Sequence, residues 1–325
     1  MNSAQSLVSV KSLYRRYGTL EAVRGVSFEL RLGEVLGLLG PNGAGKTTTL
    51  QMLCGVLAPS AGQILIDGED HISAATRTKR KIGYLPEQPP LYHELSVDEF
   101  LRFCARLRRV DRASVEPAVE HAKLRCGLTG VGKRLIGNLS KGFQQRVGIA
   151  QSIVHSPAVV VLDEPTVGLD PIQIREIRDL IRELGNDHAV ILSTHVLPEV
   201  QAVCDRVQIL HEGRVVLDEV LESVQTSGDT LRVGLRRPPA IAALEGLSQV
   251  ESVECLDQGC FRIRHRPGAD MAETLAQRAV AEDWGLFELA PEQGGLEEIF
   301  LSLTVGEKSE GRSRSPAATP DGGTK

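Results

Sequence analysis

EVLGLLGPNGAGKTTTLQMLCG (34–55) decides the fold. EVLGLLG (34–40) is apolar without alternation after Glu34, as in a strand covered on both faces. GPNGAGKT (40–47) fits G-x-x-x-x-G-K-[ST], and TTTLQMLCG reads as the helix that follows. Strand, glycine-rich loop and helix are the context this motif requires. Gly40, Gly43 and Gly45 let the backbone wrap a phosphate without obstructing side chains. Exposed N–H groups and a helix N-terminus supply positive potential. Lys46 is expected to reach β- and γ-phosphates, and the Thr47 hydroxyl to ligate Mg²⁺. The motif establishes a nucleotide site and leaves open what the nucleotide is used for.

VVVLDEP (159–165) is a second apolar strand, and it ends in two acids. Ligands of open α/β sheets bind at the carboxyl ends of strands. Asp163 suits a Mg²⁺ shell, and Glu164 suits orienting and partly deprotonating an attacking water.

Read together, LSKGFQQRV (139–147) and VVVLDEPTVGLDP (159–171) resemble the signature and Walker B regions of ATP-binding cassette (ABC) ATPases. Further elements fall in that family's order. Tyr17 in RRYG corresponds to the adenine-stacking aromatic, with Tyr14 as the competing candidate. The Walker A loop GPNGAGKTT comprises Gly40, Pro41, Asn42, Gly43, Ala44, Gly45, Lys46, Thr47 and Thr48. Gln88 in YLPEQ matches the Q-loop, Asp170 in VGLDP the D-loop, and His195 in LSTH the switch histidine. The resemblance covers residues 7–220 and implies a P-loop cassette with a helical subdomain. It implies roles for Gln88 at Mg²⁺ and the water, and for His195 at the γ-phosphate.

The signature departs from the family's commonest form, LSGGQ: Lys141 replaces a glycine and Phe143 the glutamine, while Ser140 and Gly142 remain. This variant is similar to the cassettes of type-2 exporters. The resemblance implies a head-to-tail homodimer or paired cassette, in which Ser140 and Gly142 of one subunit complete the ATP site on Lys46 of the other. It also implies a separate membrane permease, contacted through residues 89–106. A non-transport ABC ATPase acting on nucleic acid or ribosomes is the alternative. Chromosome and repair types need a long coiled coil before the signature, and the roughly ninety residues between Thr48 and Ser140 show no heptads. A metabolic P-loop kinase has no place for LSKGFQQRV or His195.

The remaining organisation fits this reading. QILIDG (63–68), IGYLP (82–86) and AVILST (189–194) read as strands, as does VSFEL (26–30), with helices between them, giving a layered α/β domain. Ser96 and Glu99 form a capping box, and Asp170–Pro171 opens another helix. Beyond a linker at 221–229, strand, helix, two strands around Asp257-Gln-Gly, helix and strand suggest a ferredoxin-like unit over 230–304. It is expected to close with LEEIFLSLT (296–304). Residues 305–325 read as a disordered tail.

At 325 residues and 42% hydrophobic, the chain can bury two cores. A net charge of −5 argues against a nucleic-acid partner. No apolar run spans a bilayer and the N-terminus lacks a signal core, so a cytoplasmic protein recruited to the membrane's inner face is expected. The 6 cysteines form no CxxC pair and are expected to be buried, reduced thiols rather than zinc ligands.

Overall fold

In the computed structural model, residues 6–221, 230–266, 270–291 and Leu296 are described. The chain divides into two compact units, 1–220 and 221–325.

The first unit joins two sheets. A four-stranded antiparallel sheet has the order β2 (Leu20–Leu30), β1 (Val8–Tyr17), β4 (Ala61–Ile66), β5 (Glu69–Asp70). Val8 and Val10 alternate inward along β1. A register shift then follows, with Ser12 at φ 46°, and it returns Leu13 to the buried face. The second sheet runs β10 (Arg214–Val220), β9 (Arg206–His211), β3 (Val35–Leu39), β8 (Ala189–Thr194), β7 (Val159–Asp163), β6 (Ile82–Leu85). All its pairings are parallel except β10 on β9. Strands β3, β7 and β8 are buried at every position. One apolar core links both sheets with Leu50, Met52 and Leu53 of α1 (Lys46–Leu53).

Parallel register aligns the carboxyl ends of three strands. Leu39 pairs with Thr194, and Asp163 with Ser193. The phosphate loop, the acid pair and His195 therefore leave the sheet side by side. Strands β1, β5, β9 and β10 lie outside the set expected from sequence. The β9–β10 hairpin turns through Glu212 and Gly213 at φ 45° and 79°, the left-handed pair a tight hairpin demands.

Beyond the short α2 (Ala75–Thr78), helices α3 (Val97–Leu107), α4 (Val115–Arg125) and α5 (Lys141–Ile153) pack on one another. The capping box on α3 is present: Ser96 Oγ accepts from Glu99 N, and Glu99 Oε2 from Ser96 N at 2.9 Å. Buried Lys123 ties α4 to α3 through Asp98 at 2.7 Å. The outer face of α3 leaves Phe103 exposed, edge-on to Tyr92 at 5.7 Å.

The second unit has β11 (Thr230–Leu235), β12 (Val250–Asp257), β13 (Cys260–His265) and β14 (Leu286–Pro291) in the antiparallel order β12-β13-β11-β14. Helices Ile241–Glu245 and Met271–Ala281 complete a β-α-β-β-α-β sequence, the ferredoxin-like arrangement. Leu231, Val233, Phe261 and Ile263 meet Leu244, Leu275 and Trp284 in a separate core. Most of LEEIFLSLT, the expected linker beyond Leu221 and the expected tail lie outside the described residues. Four of the 6 cysteines are buried; Cys260 is half-buried, and Cys255 is exposed because it lies on the edge strand β12, which turns most of its residues to solvent.

His155, just beyond α5, is held in a neutral form. Its Nε2 donates to the Ile82 carbonyl at 3.2 Å, and Nδ1 is buried without a partner. Burial, aided by the nearby Arg108 charge, pushes the imidazole down to about 4. A base with a depressed folded value loses stability as pH falls below its unfolded value. Between pH 7 and pH 5 this residue should cost about 2 kcal/mol. His155→Gln should flatten the acid dependence of urea midpoints over that range; parallel slopes for the two proteins would refute the assignment.

Candidate functional site

The phosphate loop joins β3 to α1. Gly45 is the N-cap of α1 at φ 100°, with no side chain capping the helix, so its first N–H groups remain for a ligand. A Cβ on Gly45 would lie 2.6 Å from the Ala22 carbonyl oxygen. Gly213, in the β9–β10 turn, clamps the loop: its N donates to Ala44 O at 3.0 Å, and its carbonyl accepts from Arg24 N at 2.7 Å. Lys46 is buried and folds back across the loop, donating to Gly40 O at 2.8 Å and Pro41 O at 3.2 Å.

The two acids follow from β7. Asp163 is 0% exposed, and its Oδ1 accepts from Thr47 Oγ1 at 3.1 Å and Ser193 Oγ at 2.5 Å. Its Oδ2 is buried without a hydrogen-bond partner. Burial raises the Asp163 carboxyl above the usual carboxylate range, against the pull of the Ser193 and Thr47 bonds; the charges of Glu164 and Glu87 raise it further. An unpartnered carboxylate oxygen beside a threonine hydroxyl is a hard, oxygen-only donor set, and it fits Mg²⁺.

Glu164 sits at φ 47°, a left-handed conformation that a glutamate adopts at a cost. Its N donates to Ser193 Oγ at 2.9 Å. The turn leaves the residue 7% exposed, with its carboxylate between Lys46 Nζ at 3.5 Å from Oε1 and His195 Nδ1 at 2.9 Å from Oε2.

A cleft of about 570 Å³ opens over this group. Tyr17, Leu20, Ala22, residues 42–48, Glu87, Glu164, Val167 and His195 line it. Tyr17 is 45% exposed with the Arg15 guanidinium 4.6 Å from its ring centre. Tyr14 is not among the lining residues; its hydroxyl instead packs on Gly25. Gln88 is exposed in the loop after β6, and its neighbour Glu87 lines the cleft in its place.

Ser140 and Gly142 line a different cleft of about 330 Å³, with Phe143, Arg146, Gln173 and Glu176. Ser140 is the N-cap of α5 and accepts from Phe143 N at 3.5 Å. Asp170 caps α6 (Pro171–Gly185), accepting from Ile172 N and Gln173 N at 3.0 Å. None of Ser140, Gly142 and Asp170 lines the first cleft. Sequence reasoning missed Ser193, which bridges Asp163 and the Glu164 backbone; the hydroxyl-bearing end of AVILST is the signal for it.

The family model for ABC transporters matches residues 23–167. The bacitracin transport ATP-binding protein BcrA of Bacillus licheniformis is 36% identical over 93% of this chain and 98% of its own length. The chain belongs to the ABC transporter ATP-binding proteins. It is a transport ATPase subunit that binds and hydrolyses ATP, and the nucleic-acid alternative is not favoured. The solved structure of cbiO1 from Clostridium perfringens, part of the ABC transporter complex cbiONQ, covers 68% of the chain and 90% of its own at 32% identity and TM-score 0.62. The dimeric bacterial cassette MJ0796, at 24% identity and TM-score 0.60 over 66% of this chain and 98% of its own, shares the fold. Among the described residues, no helix of this cassette is long and apolar enough to cross a membrane.

Gly45→Ala should abolish nucleotide binding and lower stability by about 1–3 kcal/mol, since the methyl meets a backbone oxygen at a left-handed position. A nucleotide titration and a melting curve check this; wild-type affinity would show that the loop can yield.

Proposed function

We propose that this cassette works as a head-to-tail dimer that sandwiches ATP and drives a separate membrane permease. The carrying observation is the split between two clefts. Lys46, Glu164 and His195 converge in one, while Ser140 and Gly142 line the other. A second subunit related by two-fold symmetry would bring each signature to its partner's phosphates. The MJ0796 cassette, which has the same fold and is dimeric, supports a dimer.

In this reading Lys46 and the loop N–H groups hold the phosphates, and Tyr17 offers its ring to the adenine. Glu164 orients the attacking water and draws off its proton, while His195 reports the γ-phosphate to Glu164 through their shared hydrogen bond. Thr47 and Asp163 would hold Mg²⁺, with Gln88 reaching it from its exposed loop; the ion supplies charge neutralisation at the phosphates. The exposed Tyr92–Phe103 pair lies within 89–106, the region assigned to the permease, and offers apolar surface for that contact. The protein then resides in the cytoplasm against the membrane's inner face. The LSKGF signature, and the likeness to a bacitracin transport protein over nearly the whole chain, support the exporter subgroup.

Lys46→Ala should lose ATP binding. Glu164→Gln should keep it while turnover falls by about 10²–10⁴. In light scattering, the Glu164→Gln protein should be monomeric alone and dimeric with ATP and Mg²⁺. A nucleotide-loaded monomer in wild-type protein hydrolysing at full rate would rule out the shared site.

We also propose the domain limits 1–220, 221–229, 230–304 and 305–325, with the chemistry confined to the first. Truncation after Glu222 should leave a soluble fragment with wild-type ATP affinity. Loss of binding in a fragment that still melts cooperatively would move the functional boundary.

A further inference from the structure

Glu199 has no part in the chemistry described so far, yet it is a buried carboxylate beside it. It lies in α7 (Leu197–Val203), which follows His195 directly, and is 6% exposed. An acid in a first helical turn ordinarily favours the helix dipole from solvent. This one is turned inward, and both its oxygens are committed. Oε1 accepts from Thr166 Oγ1 and Oε2 from Thr194 Oγ1, each at 2.7 Å. Both threonines are buried. Thr194 Oγ1 also accepts from Val196 N at 3.1 Å, so its one proton has no other direction than Glu199. Arg178 Nη2 of α6 lies 3.9 Å from Oε1 and supplies the counter-charge.

The positions of the two threonines give this arrangement its meaning. Thr166 stands two places beyond Glu164, and Thr194 immediately before His195. Backbone bonding between the two segments ends just past the pairing of Asp163 with Ser193, at Glu164 N to Ser193 O, 3.2 Å; beyond it no backbone bond joins the loops. The Glu164–His195 hydrogen bond of 2.9 Å therefore hangs on what fixes the loops beyond the sheet edge. Gln145 Nε2 holds the first loop from α5 through Pro165 O at 2.8 Å. Glu199 ties the two loops to each other, and hydroxyl bonds to an ionised acceptor are of the stronger class. Burying a carboxylate is costly unless it is fully hydrogen-bonded, so an apolar side chain would fill this space more cheaply but would tie nothing.

We infer that Glu199 is a positioning residue that sets the separation of Glu164 and His195 by bridging Thr166 and Thr194. The inference rests on the reading of Glu164 and His195 as the hydrolytic pair.

The test uses the full chain, with ATPase kcat and KM, ATP affinity and melting temperature measured separately. Glu199→Gln keeps the shape but removes the charge: its carbonyl oxygen accepts from one threonine, while its N–H₂ can only donate to the other hydroxyl, which turns a charge-assisted tie into a weaker neutral one. The expected result is a fall in kcat of about tenfold to a hundredfold with KM and ATP affinity within about twofold. Thr166→Val, which keeps the volume and tests the same tie should Glu199→Gln misfold, should lose kcat similarly. Thr166→Ser, which keeps the hydroxyl, should recover most of that loss. Wild-type kcat in Glu199→Gln and Thr166→Val, beside an inactive Glu164→Gln, overturns this inference and leaves the hydrolytic reading standing. Full turnover in Glu164→Gln removes both. A loss expressed in KM or in melting temperature alone, or one that Thr166→Ser fails to recover, assigns Glu199 to the fold rather than to the pair.

Discussion

The cassette depends on placing two carboxylates at the tip of a strand that is buried along its whole length. Burial at the end of β7 would leave Asp163 and Glu164 as uncompensated charges in a low-dielectric setting. Each acid is met by groups from other segments. Thr47 and Ser193 meet Asp163, and Lys46 and His195 meet Glu164. Parallel register is what makes this practicable, because β3 and β8 deliver all four partners at the same sheet end where β7 delivers the acids. Strain at Glu164 is tolerated because its N–H is bonded to Ser193 and its side chain is held on both oxygens.

The second organising fact is that helix capping and catalysis draw on the same residue types. Asp170 and Ser140 both cap helices, each using a side-chain oxygen on backbone N–H groups. Ser140 nevertheless bounds a cleft of its own, apart from the Lys46 cleft. A cation, Lys141, follows it, in a position the helix dipole disfavours, and its ammonium lies over Gly168. Gly168 is at φ 73° and has no Cβ to obstruct it. Local rules are broken here together, as they are at sites shaped by something other than stability.

Much of the site was legible in the sequence because its chemistry is contiguous. The phosphate loop and the acid pair each occupy one short run at a strand end, and apolar runs without alternation announce buried parallel strands. The ferredoxin-like order of the second unit was legible through its alternating strands and its Gln258–Gly259 turn. What escaped has a common cause. Ser193, Thr166 and Glu199 act through partners on other segments, and spacing cannot reveal such pairings. Position in the motif favours Tyr17 over Tyr14, and Tyr17 is the one that lines the cleft, at the end of a strand whose register shifts no sequence pattern reveals. Strand β9 ends at a Glu-Gly turn rather than the commoner Asn-Gly, so its hairpin carried a weak signal. The exposure of Cys255 follows from its strand being an edge, which composition does not encode.

The hairpin contact at Gly213 has a consequence for synthesis. One glycine bonds to the phosphate loop through its N–H and to β2 through its carbonyl, knotting together segments near residues 24, 44 and 213. Chains are made from the N-terminus, so a nascent polypeptide exposes its glycine-rich loop long before the segment that clamps it emerges. Closing such a distant contact is slow compared with local helix formation. Nearly all of the first unit must therefore have left the ribosome before the loop can gain its final support.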